Sequence, residues 1–474
     1  MMTEGLKRYS LGVTDWYLME EGLKVVVAHL AGKDKERRYY GTFDYQGGRV
    51  FIKSFLEAGF AGRIRHLFAP RGKREFAIGN RLAALSIPTP AVLGYGIGRN
   101  SSSIIEEYIE GQSLLDAIKK TSDRDTLFSL LAGLLAQLTI KHVRHNDLHL
   151  DNVLIRGDKL YLIDLHKTKV KKYFHEDDEV SNVTHALGII YDDISERERD
   201  YFFHVFGCSE TVRRRIEREI ATLRKEWVAS KKDRAFKNTS LLKAHSGEVR
   251  IRDSEEMAHG EFVATLKKDK KVRVDRFSDH IRKVYRHGRR LRTAWRNHVV
   301  FKYLESAAVP RPFYVKLPTL FSSGYVAMED LGHKGIELDR FLDVSYDGMT
   351  YPEKRRFVQE LSLFLGAIMR QRISHRDMKA CNIFTLHEGG FVLLDVEDIV
   401  FGEVEEKALK RMLVQLNTTV PVRIAVRDRM RFFLKLTSWF KIDRRRLFGD
   451  IREESLACEI VYEGASGLKK ERWH

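Results

Sequence analysis

The chain has 474 residues, too many for one hydrophobic core, so two or three domains are expected. Hydrophobic residues make up 43% and charged residues 31%, ordinary globular values that exclude a wholly disordered chain. The net charge of +17 is uneven: residues 1–225 hold 35 Lys and Arg against 31 Asp and Glu, and the remainder hold 48 against 35. The second half therefore carries most of the field, which points to an anionic partner or to a solubilising surface.

The amino terminus, MMTEGLKRYSLGVTDW, lacks the apolar stretch of a signal peptide. Further on, RVFIKSF places Lys53 in an alternating strand, and KREFAIGNRLAAL carries Glu75 on the next helix. LSIPTPAVLGYG (Leu85–Gly96) leads into IIEEYIEG (Ile104–Gly111), a strand that runs out through Glu107, Tyr108 and Ile109. A long apolar helix, TLFSLLAGLLAQLTIKHV, ends at His145-Asn146-Asp147, with Asn152 five residues later. KLYLID then closes a short strand on Asp164. The longest apolar run, Leu127–Ile140, falls short of the ~20 residues that cross a bilayer. Three separated cysteines, Cys208, Cys381 and Cys458, form no CxxC and read as thiols of a reducing compartment. A cytoplasmic protein is expected, free to visit the inner face of a membrane.

The second half repeats this order. RRFVQELSLFLGAIMRQRIS ends at His375-Arg376-Asp377, Asn382 follows, and GFVLLD closes on Asp395. AAVPRPFYV (Ala307–Val315) parallels LSIPTPAVLGYG. The expected architecture is α+β: two bilobal domains in tandem, 1–230 and 231–474, each running strands, one helix, more strands, then mostly helix.

Phosphoryl transfer explains the motif. It needs a metal to neutralise phosphate charge, a cation on the phosphates and a carboxylate to orient the acceptor hydroxyl. An H-x-D-x-x-x-x-N loop gives a hydroxyl-facing Asp147 and a metal-facing Asn152, and Asp164 holds the metal on the phosphates. Lys53 suits the α- and β-phosphates, Glu75 is placed to pair with it, and the backbone at Glu107, Tyr108 and Ile109 suits an adenine. His145 is expected to prop the loop by hydrogen bonding. ATP and Mg²⁺ are the expected cofactors, and no spacing calls for zinc.

The first half, over about residues 20–210, resembles the bacterial lipopolysaccharide core kinases, the heptose and Kdo kinases related to protein kinases. The resemblance rests on HNDLHLDNVLI, on YLIDLHKTKV with Asp-Leu-His where protein kinases have Asp-Phe-Gly, and on the absence of a GxGxxG loop. RRYYGTFDYQGGRVFIK offers only Gly41 and Gly47-Gly48. It implies ATP-dependent phosphorylation of a sugar hydroxyl of the inner core, with Asp147 catalytic, Asn152 and Asp164 on the metal and Lys53 on phosphate. Asn146 stands where protein kinases carry the Arg that couples to a phosphorylated activation loop. The loop is also close to those of aminoglycoside- and choline-type phosphotransferases, so sugar and small amine both remain open. A protein Ser/Thr kinase is a further reading, weakened by the short stretch after Asp164 and the lack of A-P-E. A reading of another class is a pseudokinase scaffold that binds an anionic glycolipid.

The second half resembles the same family over about residues 260–400. HRDMKACNIF keeps Asp377, Lys379 and Asn382; in protein kinases a Lys at that offset contacts the γ-phosphate. Asp395 is the matching metal residue, without Asp-Leu-His. An ungapped alignment on Pro88 and Pro310 sets Asp275 opposite Lys53, with Lys270, Lys271 or Lys283 as substitutes if the alignment slips, and no Glu stands opposite Glu75. A degenerate amino-terminal lobe is therefore expected here.

Two basic stretches, Arg282–His298 and Arg423–Phe448, interleave cations with aromatics. The second reads either as a basic amphipathic helix on anionic lipid or as a core helix with a solvated Arg face. Lipopolysaccharide core or another anionic glycolipid fits the resemblance better than nucleic acid does.

Overall fold

The computed structural model describes residues 6–29, 38–57, 59–121, 123–254 and 256–473. The first five residues of the amino-terminal stretch and Arg37 of RRYYGTFDYQGGRVFIK lie outside them. The chain divides into two compact units, Met1–Thr222 and Leu223–His474. The division falls inside the helix Glu210–Arg234, as does residue 230. No Pro or Gly interrupts this helix, so nothing local in the sequence marks the point. Each unit is α+β, an antiparallel sheet followed by a mainly helical body.

In the first unit six strands lie in the order Lys7–Leu11, Thr14–Leu18, Val92–Ile97, Ser101–Glu107, Gly48–Leu56, Arg38–Tyr45. The last two form a hairpin over Gln46 and Gly47, both at positive φ (50° and 75°), the backbone a tight two-residue turn requires. The helix Arg71–Ala84 packs against this sheet. Gly72 is obligatory there, because a Cβ would stand 2.1 Å from the carbonyl oxygen of Ser103. The apolar run is the helix Arg124–Ile140, whose Phe128, Leu131 and Leu138 are fully buried in the core of the body. Each such side chain contributes roughly 1.5–3 kcal/mol by leaving water. Among the described residues no helix is long and apolar enough to cross a membrane.

The second unit has seven strands, in the order Leu242–His245, Glu248–Ile251, Pro312–Lys316, Gly324–Met328, Ile281–Tyr285, Val272–Phe277, Phe262–Lys268. The helix Gly288–Tyr303 follows the strand Ile281–Tyr285 almost at once. The basic stretch Arg282–His298 is thus a strand end and a helix, and Trp295, His298 and Val299 are buried. The stretch Arg423–Phe448 forms parts of two helices, Val426–Thr437 and Arg444–Leu456, where both readings of the sequence had one helix. Phe433, Leu436 and Leu447 sit in the core, and Arg431 and Arg446 pair with Asp428 and Glu406. This is the geometry of core helices with a solvated Arg face.

Candidate active site

The site of the first unit is assembled from the sheet, one helix and two loops. Helix 124–140 ends at Lys141, and the strand Val143–His145 pairs with Thr168–Val170, which pins the catalytic loop to the segment after Asp164. Asn182 clamps the loop entrance, accepting from the His145 amide (3.0 Å) and donating to the Val143 carbonyl (2.8 Å). His145 is fully buried: its Nδ1 accepts from the Asp147 amide (3.2 Å) and its Nε2 faces the Ile163 carbonyl (3.4 Å). Burial pushes its pKa down to about 4, so the ring is neutral and holds the loop without moving protons.

Asn152 donates to the backbone carbonyl of Asp147 (2.9 Å), which leaves its amide oxygen for a cation. The Asp147 carboxylate meets Lys167 Nζ at 2.6 Å. Burial alone would raise its pKa, but the Lys167 bond and charge outweigh that and hold it low. Asp164 occupies the left-handed region (φ 55°), a strained conformation that turns its side chain out of the chain path. Its Oδ1 lies 2.9 Å from His166 Nδ1 and 3.3 Å from Arg71 Nη2. Burial again pushes upward, but His166, Lys53 and Arg71 prevail, so Asp164 lies well below the usual carboxylate range.

Lys53 stands in register with Ile104, two residues before Glu106, on the same face of the sheet. The expected Lys53–Glu75 pair is not the contact made. Lys53 Nζ lies 2.8 Å from Glu106 Oε1, and both side chains are only 8% exposed, a buried ion pair. Desolvation would lower its pKa, but Glu106 first, then Glu75 and Asp164, hold it raised. Glu75 instead takes Arg71 Nε at 3.2 Å, one helical turn away, and lies 3.8 Å from His166. The reason is geometric: Glu106 reaches Lys53 across adjacent strands, and Arg71 intercepts Glu75. Arg71 and Glu106 went unnoticed in the sequence, because an Arg four before a Glu and a second Glu in a strand are common patterns.

Of the backbone groups expected to take a base, the Glu107 amide donates to Ala91 (2.8 Å) and the Tyr108 amide to Arg49 (2.9 Å), both within the sheet region. Ile109 follows, 4% exposed.

A divalent cation and a nucleotide fit these residues. Asp164 and the Asn152 oxygen are hard oxygen donors, and the buried ammonium of Lys53, one cation beside the carboxylates of Glu106, Glu75 and Asp164, is a ready phosphate contact.

Residues 60–197 match the model described as the lipopolysaccharide kinase (Kdo/WaaP) family. Over this segment the chain is similar to the lipopolysaccharide kinase family. A curated relative, an EKC/KEOPS complex subunit BUD32 of Encephalitozoon cuniculi, is 37% identical over 133 residues, 26% of this chain. The chain spans 64% of that relative's length. A solved structure of WaaP in complex with acyl carrier protein is similar over 40% of this chain and 86% of its own, at 16% identity and a TM-score of 0.32.

The family match stops before the second unit, whose site corrects the ungapped alignment. Lys283, on the strand next to Gly324–Met328, is in register with Val326, two before Met328, as Lys53 is with Ile104, two before Glu106. Asp275 lies one strand further out, bonded to Thr265 and Arg273. The first unit has the helix Phe60–Phe68 between the lysine strand and the next helix, and the second runs from Tyr285 to Gly288 directly; this shorter path shifts the count, so the lysine is not lost. Lys283 Nζ lies 2.5 Å from Asp395 and 3.0 Å from Glu397. Lys270 and Lys271 sit in the turn between the two outer strands. Asp377 receives Lys379 at 2.9 Å, and Asn382 donates to the Asp377 carbonyl at 2.7 Å.

Proposed function

We propose that the first unit is an ATP-dependent phosphotransferase that phosphorylates a sugar hydroxyl of lipopolysaccharide inner core, heptose or Kdo. The observation that carries this reading is the setting of Asp164, whose charge is held by His166, Lys53 and Arg71, with His166 of Asp-Leu-His between it and the Arg71–Glu75 pair, and Asn152 bonded to the Asp147 carbonyl. Asp147, Asn152 and Asp164 lie within the segment that matches the lipopolysaccharide kinase family, and Lys53 lies just before it.

Lys53 binds the α- and β-phosphates, trading its carboxylate neighbours for phosphate oxygens. Ile109 offers backbone groups to the base. Asp164 and the Asn152 amide oxygen hold the divalent cation, which when bound neutralises phosphate charge. Asp147, kept ionised by Lys167, accepts a hydrogen bond from the acceptor hydroxyl and takes its proton as the phosphoryl group moves. Lys167, 2.6 Å away, is placed to meet the transferred group as it leaves the nucleotide. His145 keeps the loop in place through Asp147's own amide.

An anionic acceptor is supported by the cations that follow Asp164. Lys169 and Lys172 are exposed on and just after the strand that pairs with Val143–His145. Residues 171–175 alone separate this strand from the helix Glu176–Leu187, leaving little chain for a peptide-binding segment.

The test is transfer of labelled γ-phosphate from ATP to extracted core lipopolysaccharide by wild type, Asp147→Ala and Asp377→Ala. Loss of transfer with Asp147→Ala is expected. Transfer unaffected by Asp147→Ala would sink the assignment, and label on protein in place of glycolipid would move the acceptor to a polypeptide hydroxyl.

A further inference from the structure

We propose that the second unit contains a nucleoside triphosphate site of its own, built on Lys283, Asn382 and Asp395, that takes the nucleotide with a divalent cation. The family match ends at residue 197, so nothing in it reaches these residues.

Three observations bring the proposal together. The first is a cavity of about 200 Å³ inside this unit, lined on one side by Ile281, Lys283 and Met328 of the sheet and on the other by Phe384, Leu394 and Asp395 of the body. It is smaller than a typical ligand pocket, so it suits a planar base, with sugar and phosphates extending toward Lys283 and Asp395. The second is His298. This ring lines the cavity, is 1% exposed, and its Nδ1 has no hydrogen-bond partner. A buried polar atom without a partner costs about 1–3 kcal/mol unless something polar meets it, and a bound ligand or its water would do so.

The third is a permutation of charge between the two units. Ser86 and Glu305 both close their helices at positive φ (60° and 52°), with equivalent backbone bonds, which matches Arg71 to Arg290 and Glu75 to Ala294. The helix of the second unit has thus lost its glutamate. The acid reappears two residues after Asp395 as Glu397, where the first unit has His166. Glu397 is 4% exposed and meets Lys283 (3.0 Å), Arg290 (3.1 Å) and the Tyr285 hydroxyl (3.0 Å). One residue on, Asp398 replaces Lys167 and pairs with Arg290 at 2.8 Å. The cation lost there is restored by Lys379, which replaces His149 and sits 2.9 Å from Asp377. The matching ion pairs join three cations to four carboxylates in each unit: Lys53, Arg71 and Lys167 with Glu75, Glu106, Asp147 and Asp164; Lys283, Arg290 and Lys379 with Asp377, Asp395, Glu397 and Asp398. A decaying site loses charges singly. This one moves them while keeping their balance around the phosphate position. A cation captured by Asp395 and the Asn382 oxygen would release Lys283 from its 2.5 Å contact and turn it to phosphate.

The decisive experiment uses the full chain and needs no folded variant to be interpretable. 8-Azido-ATP with Mg²⁺ is photolysed on wild-type protein and labelled peptides are mapped. Label near 328–332 as well as near 107–109 is expected. Label confined to the first unit overturns the proposal; label confined to the second supports it and overturns the nucleotide assignment of the first. In parallel, calorimetry with a non-hydrolysable ATP analogue is expected to give two sites per chain in wild type and one in Lys53→Met/Asp164→Ala. The remaining site should be lost on adding Lys283→Met, with the melting temperature of each variant as the control. A remaining site indifferent to Lys283→Met contradicts the proposal.

Discussion

Replacing Lys167 by Ala removes the cation that sits 2.6 Å from Asp147 and, on the proposed mechanism, meets the transferred phosphoryl group. A charge-assisted hydrogen bond of this kind contributes about 1.5–3 kcal/mol, or roughly tenfold to 150-fold in rate. Lys167 and Asp147 are 47% and 30% exposed, so solvent screening puts the effect at the lower end, about tenfold to thirtyfold in kcat. The second unit shows how to repair the loss, since Lys379 supplies the cation from the position that His149 holds in the first. The double variant Lys167→Ala/His149→Lys should therefore recover most of the lost kcat with little change in KM for ATP. Initial rates of ADP release and of labelled phosphate transfer measure both. Failure of His149→Lys to restore any rate, while the protein melts as wild type does, would refute the idea that the two units place one functional charge at alternative positions.

Arg71→Met removes one of the cations that hold Asp164 ionised, so the Asp164 pKa should rise; a carboxyl-carbon NMR titration in which Asp164 is unmoved would exclude Arg71 from tuning this carboxylate. Gly72→Ala should lower stability by about 1–3 kcal/mol, through overlap with Ser103, whereas Gly133→Ala, in a helix with open space at its Cβ, should raise it by roughly 0.5–1 kcal/mol; chemical denaturation of the pair checks the sign of each. His145 has a folded pKa of about 4 against about 6.5 unfolded, so the unfolded chain binds a proton the native state refuses. Its contribution is complete above pH 6.5 and falls away as pH drops toward 4, by about 3 kcal/mol. A proton NMR titration of its ring in the native protein with a midpoint near 6.5 would contradict this.

The helix–loop–strand order of both catalytic loops was legible because it is local: a long apolar helix, HxD, Asn five on and an Asp closing a strand lie within about thirty residues. The partners of these residues were not. Glu75 and Lys53 were matched by their order in the chain, yet the side chain nearest the ammonium is Glu106, near the end of the strand Ser101–Glu107 and invisible as a site residue without the register of the sheet. Asp275 was set opposite Lys53 by counting from a proline, which assumes equal connections between strand and helix; the short path from Tyr285 to Gly288, where the first unit inserts the helix Phe60–Phe68, breaks that assumption. Arg423–Phe448 showed its apolar face but not its break, because no Pro or Gly marks the step between the two helices.

These misses share a cause that bears on how the second unit should be judged. Motif reading asks whether a given residue type stands at a given offset, whereas a phosphate responds to the field where it sits. Glu397 and Glu75 approach their sites from different segments, a loop and a helix, and both are 1% exposed as side chains beside an arginine from the start of the helix. In each case the arginine also reaches an acid of the post-strand loop, Asp164 or Asp398. A search for the helix glutamate finds it in one unit and scores the other as damaged. The ion pairs that involve the matching lysines, arginines and acids keep the same balance in both. A single exchange tests whether balance or position governs: Glu397→His with Ala294→Glu rebuilds the first unit's arrangement within the second. If balance governs, nucleotide binding by the second unit survives the double change and is weakened by either change alone. If position governs, Glu397→His alone abolishes it and Ala294→Glu restores nothing.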